Sequence, residues 1–348
     1  MKLTTRAVTT AAALILAATA LVACAGTAPS PTSGGDTVTL SLVAYSTPQA
    51  AYEKLIAAYQ KTDAGKNIKF TQSYGASGDQ SRAVAAGLKA DIVAFSLEPD
   101  ITRLVTAKLV DAGWNSDQYQ GMITDSVAVI ATRKGNPKGI STWDDLIKPG
   151  VQVLTPNPFT SGGAKWNILA GYGAKSNKGT DAAAGATYLT ALFKNVPVQD
   201  SSGRASMQTF TGGKGDAVIS YENEAIFARQ NGQALDYTVP DATILIENPV
   251  AVTTNSPHPA QAKAFLDWLH SADAQKIYAE NGYRPVVSGV GGPSFPTPAQ
   301  LFTIKDLGGW SKVNKDLFDP SKSVMATIEQ GLGIATSSAP TASPTAAK

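Results

Sequence analysis

Thiols, imidazoles and surplus charge are all scarce in this chain. Among its 348 residues Cys24 is the only cysteine, and His258 and His270 are the only histidines. A lone cysteine forms no internal disulfide. With no HExxH and no second thiol, no zinc site assembles. His258 lies between prolines (SPHPA) and His270 ends a helical stretch, both suited to the surface. Setting aside Lys2 and Arg6 of a removable leader leaves 29 − 2 = 27 basic residues against 27 acidic ones. A neutral chain without a basic run lacks the electrostatic footprint of a nucleic-acid binder. Nucleotide and nucleophile signatures also fall short. Gly75-Ala76-Ser77-Gly78-Asp79 ends on Asp where the GxSxG elbow needs Gly, and Gly171-Tyr172-Gly173 ends at Ser176 instead of completing GxGxxG. A serine hydrolase using Ser77 or Ser161 needs a base within reach of the hydroxyl, and the sequence gives no histidine context for one. No metal or cofactor is implied.

What is present begins with an export signal. Lys2 and Arg6 precede an apolar stretch, Ala7–Val22, that is interrupted by threonines and short for a membrane span. It ends in Leu21-Val22-Ala23-Cys24, which resembles a bacterial lipobox. Residues 1–23 are then a signal peptide and Cys24 the lipidated N-terminus. Two acyl chains, at roughly 0.8 kcal/mol per buried CH₂, hold a soluble domain at a membrane. Residues 24–36, rich in Pro, Ser, Thr and Gly, are expected to form a flexible tether, and 331–348 a disordered tail.

From Thr37 the pattern is α/β. Val38, Leu40 and Leu42 alternate as a strand, and Tyr52, Leu55, Ile56 and Tyr59 recur with helical spacing. Short apolar runs at Val127–Thr132, Val151–Thr155 and Ala217–Ser220 suit strands covered on both faces. Ala262, Phe265, Leu266 and Leu269 form a second helical stripe. Strands alternating with helices predict mostly parallel sheets with ligands at the strand C-terminal ends. Several small-residue segments fall just after predicted strands: Ala44–Thr47, Tyr74–Gly78, Thr160–Gly163 and Ser201–Gly203. Such segments place unpaired N–H groups at the positive end of a helix dipole, where glycine lets an oxyanion approach the main chain. Their repetition points to a cradle for a small anion.

NPFTSGGAKWN (Asn157–Asn167) resembles the NPxxSGGxxWN signature of the periplasmic sulfate-binding proteins, receptors of sulfate/thiosulfate ABC importers. The likeness extends in order through VAYSTPQAAYEKL (Val43–Leu55), QSYGASGDQ (Gln72–Gln80) and ATRKGNPKGISTWDDLIKPGVQVLTPNP (Ala131–Pro158). ALFKNVPVQDSSGRAS (Ala191–Ser206), GDAVISYENEA (Gly215–Ala225) and LFTIKDLGGW (Leu301–Trp310) follow. The resemblance implies a type II periplasmic-binding fold of two lobes with a ligand cleft at the hinge. The first lobe would begin at 37–130, the second span 131–245, and 246–330 return to the first lobe and end in C-terminal helices. It implies an extracytoplasmic, monomeric receptor that captures sulfate without covalent chemistry and passes it to a membrane permease. By position, Ser77, Gly162, Gly163 and Gly203 would offer backbone N–H groups, and Ser161 both its N–H and its hydroxyl. Ser46 stands where many relatives carry aspartate, and Tyr221 where relatives carry an indole-bearing tryptophan. A donor-only site rejects hydrogen phosphate, whose proton needs an acceptor, but a tyrosine hydroxyl can also accept. Thiosulfate, molybdate and phosphate are therefore the alternative ligands. Arg204 would add field or pair with an acid, and Trp166 would pack in the core.

Overall fold

The computed structural model describes residues 37–336. The expected signal peptide, Cys24, the expected tether and the tail beyond 336 lie outside the described residues.

The first elements are β1 (Val38–Tyr45), α1 (Gln49–Tyr59), β2 (Ile68–Gly75), α2 (Ser77–Ala85), β3 (Ile92–Ala94) and α3 (Glu98–Thr106). The helical stripe expected after β1 is present: Tyr52, Leu55, Ile56 and Tyr59 of α1 are all buried. A long strand β4 (Met122–Arg133) leads to β5 (Val153–Leu154), α4 (Gly162–Lys175), α5 (Ala182–Lys194), α6 (Gly203–Thr211), β6 (Ala217–Tyr221), α7 (Glu222–Gln230) and β7 (Leu235–Thr238). A second long strand, β8 (Ala242–Val252), is followed by α8 (Pro259–Leu269), α9 (Ala272–Glu280), β9 (Arg284–Pro285), β10 (Gln300–Phe302), α10 (Gly309–Val313) and α11 (Val324–Gly331).

β4 and β8 divide the molecule into two lobes. Their middle portions pair with each other, Ser126 opposite Ile246 and Val127 opposite Leu245. Beyond that contact β8 joins β3 of the first lobe, whereas β4 joins β6 and β7 of the second. One strand carries the chain out and the other brings it back, so they run antiparallel to each other. The sheets are accordingly mixed, not mostly parallel. β1 pairs in parallel with β2 and β3, and β5 with β6, but every pairing of β4 is antiparallel. A third crossing follows β9. From β10 onward Phe302, Trp310, Phe318 and Met325 pack with Trp143, Trp166 and Leu189, so the C-terminal helices cover the second lobe instead of continuing the return to the first. At the C-terminal end Gly331 closes α11 and the Thr336 hydroxyl donates to the Pro320 carbonyl, so α11 runs one residue into the segment expected as a disordered tail.

The hinge strands hold a charge cluster. Asp125 of β4 lies opposite Glu247 of β8 on one side and Arg284 of β9 on the other. Arg284 is itself bound to buried Glu222 at 2.8 Å. Burial first, and Glu247 second, push the Asp125 carboxyl up to about 7, against the pull of Arg284. An acid raised in the folded state contributes stability that is complete below its unfolded value and is lost as pH rises through the folded one. Thermal denaturation between pH 4 and pH 7.5 is therefore expected to show a component of stability falling with pH that Asp125→Asn removes. An identical profile in the variant would place that component elsewhere.

Candidate functional site

The strand ends meet where the lobes face each other. Tyr45 ends β1 and Ser46 and Thr47 follow it, Ala76 and Ser77 follow β2, and Ser96 follows β3. The second lobe adds Ser161 and Gly163 at the start of α4, Ser202 and Gly203 at the start of α6, and Tyr221 at the β6–α7 junction. These residues enclose about 10 Å³ for the centre of a water-sized sphere, room for a compact ion and nothing extended. Of the seven residues expected to hold ligand, Ser46, Ser77, Ser161, Gly163, Gly203 and Tyr221 line this cavity. Gly162 does not. It is packed against Ser96 and Leu97 of the opposite lobe and lines a neighbouring cavity.

Backbone geometry makes the walls donor-rich. Ser77, Gly162 and Gly203 are the first residues of α2, α4 and α6, and Gly163 is the second of α4. Residues at these positions have no intrahelical acceptor, and their N–H groups donate to no other acceptor among the described residues. The three helices present the positive ends of their dipoles to one small space. Ser202 and Ser161 cap their helices by accepting from the N–H groups of Ala205 and Ala164, each at 3.2 Å.

Ser161 departs from expectation in one respect. Its N–H is not free but donates to the Asn157 carbonyl at 2.9 Å, because Asn157–Ser161 forms a turn ahead of α4. The hydroxyl hydrogen is what it has to offer a ligand. Ser77 contributes in the opposite way. Its hydroxyl donates to Asp100 at 2.6 Å and accepts from the Ser96 N–H at 3.0 Å, which leaves only the backbone N–H. Neither serine is arranged as a nucleophile beside a histidine. His258 and His270 flank α8, and His270 stacks on Tyr119.

Tyr221 is 3 % exposed, and its hydroxyl meets no hydrogen-bond partner among the described residues. Burial raises its pKa well above the ordinary value, so it faces the cavity as a neutral hydroxyl with a hydrogen to donate. The Tyr45 and Ser96 hydroxyls are likewise buried and unpartnered. Several unsatisfied donors around one cavity are costly unless something arrives to accept from them.

Three groups in the walls were not singled out from the sequence, although Asn167 and Glu224 lie within the segments that carry the resemblance. Glu224 is 1 % exposed, held through one carboxylate oxygen by Arg204 at 2.8 Å, with the other oxygen unpaired. Asn167 ties α4 to β6 by donating to the Ile219 carbonyl at 2.8 Å, and its own carbonyl oxygen is unpaired. Ser96 accepts through its carbonyl from the Trp166 indole at 2.6 Å and from Asn248 at 3.0 Å. Each depends on a contact between segments far apart in the chain.

The lobes are closed on each other. The Trp166–Ser96 bond crosses the seam, as do Gly78 N–H to Thr160 at 3.2 Å and Arg204 to the Thr47 carbonyl at 2.8 Å. Arg204 thus both pairs with an acid and bridges the lobes, and Trp166 is both core and clasp. Among the described residues no group of His, Cys, Asp and Glu could hold a metal ion.

Known proteins share this plan. The family model for the bacterial extracellular solute-binding proteins matches residues 40–284. A sulfate-binding protein of Synechococcus elongatus is 42% identical over 86% of this chain and 89% of its own length. A thiosulfate-binding protein of Escherichia coli is 35% identical over 75% of this chain and 81% of its own. The solved structure of the sulfate-binding protein SubI from Mycobacterium tuberculosis H37Rv superposes with a TM-score of 0.79 at 44% identity, over 81% of this chain and 100% of that one. With the two-lobed fold, the donor-lined cleft and these likenesses together, the chain belongs to the bacterial extracellular solute-binding proteins, in the group that includes the sulfate- and thiosulfate-binding proteins.

Proposed function

We propose that this protein is an extracytoplasmic receptor that captures sulfate and delivers it to the permease of an ABC importer, binding without turnover. The observation that carries this reading is the set of unpaired N–H groups from three helix starts, with the hydroxyls of Ser161 and Tyr221, around a space the size of a compact ion. Sulfate is fully deprotonated at neutral pH and accepts from every side. No formal cation is needed. Charge-assisted hydrogen bonds contribute roughly 1.5–3 kcal/mol each, and peptide dipoles disperse the two negative charges. Closure of the lobes excludes water and completes the shell of donors.

A second reading is hydrogen phosphate. The unpaired oxygens of Glu224 and Asn167 in the walls supply acceptors for a ligand proton, which a donor-only site lacks. Calorimetric titration of anion-stripped protein with sulfate, thiosulfate, molybdate and phosphate separates these ligands. Tight one-to-one sulfate binding with phosphate silent is the expected result. Phosphate binding with sulfate silent would move the assignment to Glu224 and Asn167.

Cys24 at the end of the apolar leader supports attachment to the outer face of the cell membrane by lipid. Cys24→Ser is expected to abolish incorporation of labelled fatty acid and move the protein to the soluble fraction. Retention of label by the variant would refute the anchor.

A further inference from the structure

Next to the closed anion site, and sharing Ser161 with it, lies a second cavity of about 290 Å³. Its charged lining is three cations and one carboxylate: Arg82, Arg103, Lys165 and Asp100. Asp100 is already engaged by Arg103 at 2.8 Å and by the Ser77 hydroxyl at 2.6 Å. Arg82 pairs with Asp79 at 2.5 Å. Lys165 forms no ion pair among the described residues. Its ammonium donates to the Asn314 side-chain oxygen at 3.0 Å and lies 4.9 Å over the Phe318 ring. Burial pushes its pKa down to about 8, with Asp100 opposing and Arg103 and Arg82 adding to the fall. A desolvated cation with no ion pair of its own, whose nearest carboxylate Asp100 is already held by Arg103 and Ser77, favours an anion in the cavity beside it.

We propose that this cavity is a second, weaker site for a small divalent oxyanion, held by Lys165 with Arg82 and Arg103. The inference goes beyond capture at the first site. Arg82 and Arg103 belong to the first lobe and Lys165 to the second, so an anion here ties the lobes together and favours the closed form. Arginine supplies planar paired donors and lysine a point charge, which together match the oxygens of a tetrahedral oxyanion.

The test is equilibrium dialysis of the purified, anion-stripped protein against labelled sulfate, from micromolar to millimolar, with ionic strength held constant by chloride. One tight equivalent followed by a second in the millimolar range is expected. Lys165→Met keeps the apolar stem against Phe318 and removes the charge. It is expected to weaken the second step by about tenfold or more while the first stays within about twofold. Lys165→Arg should retain the second step. A single equivalent at every concentration, or a second step indifferent to Lys165→Met, overturns the proposal. Loss of the tight equivalent alone would count against sulfate capture at the first site and leave the second to be judged by its own step.

Discussion

Replacing Gly162 by alanine is expected to weaken anion binding by roughly 5- to 150-fold without lowering the melting temperature of the anion-free protein. A Cβ at this position would lie 2.1 Å from the Ser96 hydroxyl oxygen and 2.9 Å from a Leu97 methyl. Both neighbours belong to the other lobe, so the clash exists only when the lobes meet. Overpacking of this kind costs about 1–3 kcal/mol, which is charged to closure alone. The open protein gains an alanine at a helix start and loses nothing. Gly203→Ala is the control. Its Cβ would meet only the Thr47 side-chain methyl at 3.5 Å, an ordinary contact, and its affinity should stay close to that of the parent protein. Titration calorimetry and thermal denaturation of the two variants, each with and without sulfate, decide the matter. A fall in the anion-free melting temperature of Gly162→Ala would mean that the Gly162–Ser96 approach persists without ligand.

Tyr221→Phe should separate stability from binding in the other direction. The hydroxyl is buried and unpartnered, so its removal relieves an unsatisfied group and the anion-free protein should be as stable as before or more so. A charge-assisted donor bond to a bound dianion contributes about 1.5–3 kcal/mol, so affinity should fall roughly 10- to 150-fold. Tyr221→Trp, which restores an N–H donor, should bind sulfate better than Tyr221→Phe. If Tyr221→Phe instead lowers stability and leaves affinity intact, the hydroxyl serves the fold and the anion is held by the backbone alone. The two variants probe different stages: Gly162 the approach of the lobes, Tyr221 the shell around the ion.

By itself the sequence determined the alternation of strands and helices and the positions where glycine and serine open a helix, since these depend on spacing of a few residues. Ser46, Ser77, Ser161, Gly163 and Gly203 could be singled out because strand, turn and helix start are local signals, whereas the SGG-centred resemblance named Tyr221 and the kind of ligand. Local signals did not show what each group does. The Ser161 N–H is taken by Asn157, and the Ser77 hydroxyl by Asp100 and Ser96. Only the tertiary structure decided that Glu224 and Asn167 line the cleft, that Gly162 is a contact between lobes, and that Arg204 and Trp166 clasp them. It also decided the mixed sheet and the placing of the C-terminal helices, because β4 and β8 must run in opposite senses and the aromatics of the second lobe must be covered. The physical reason is common to all of these. Burial, pairing and closure bring together residues 50 to 160 positions apart, as in Ser96 with Trp166 and Arg204 with Thr47, and no short-range pattern encodes such encounters.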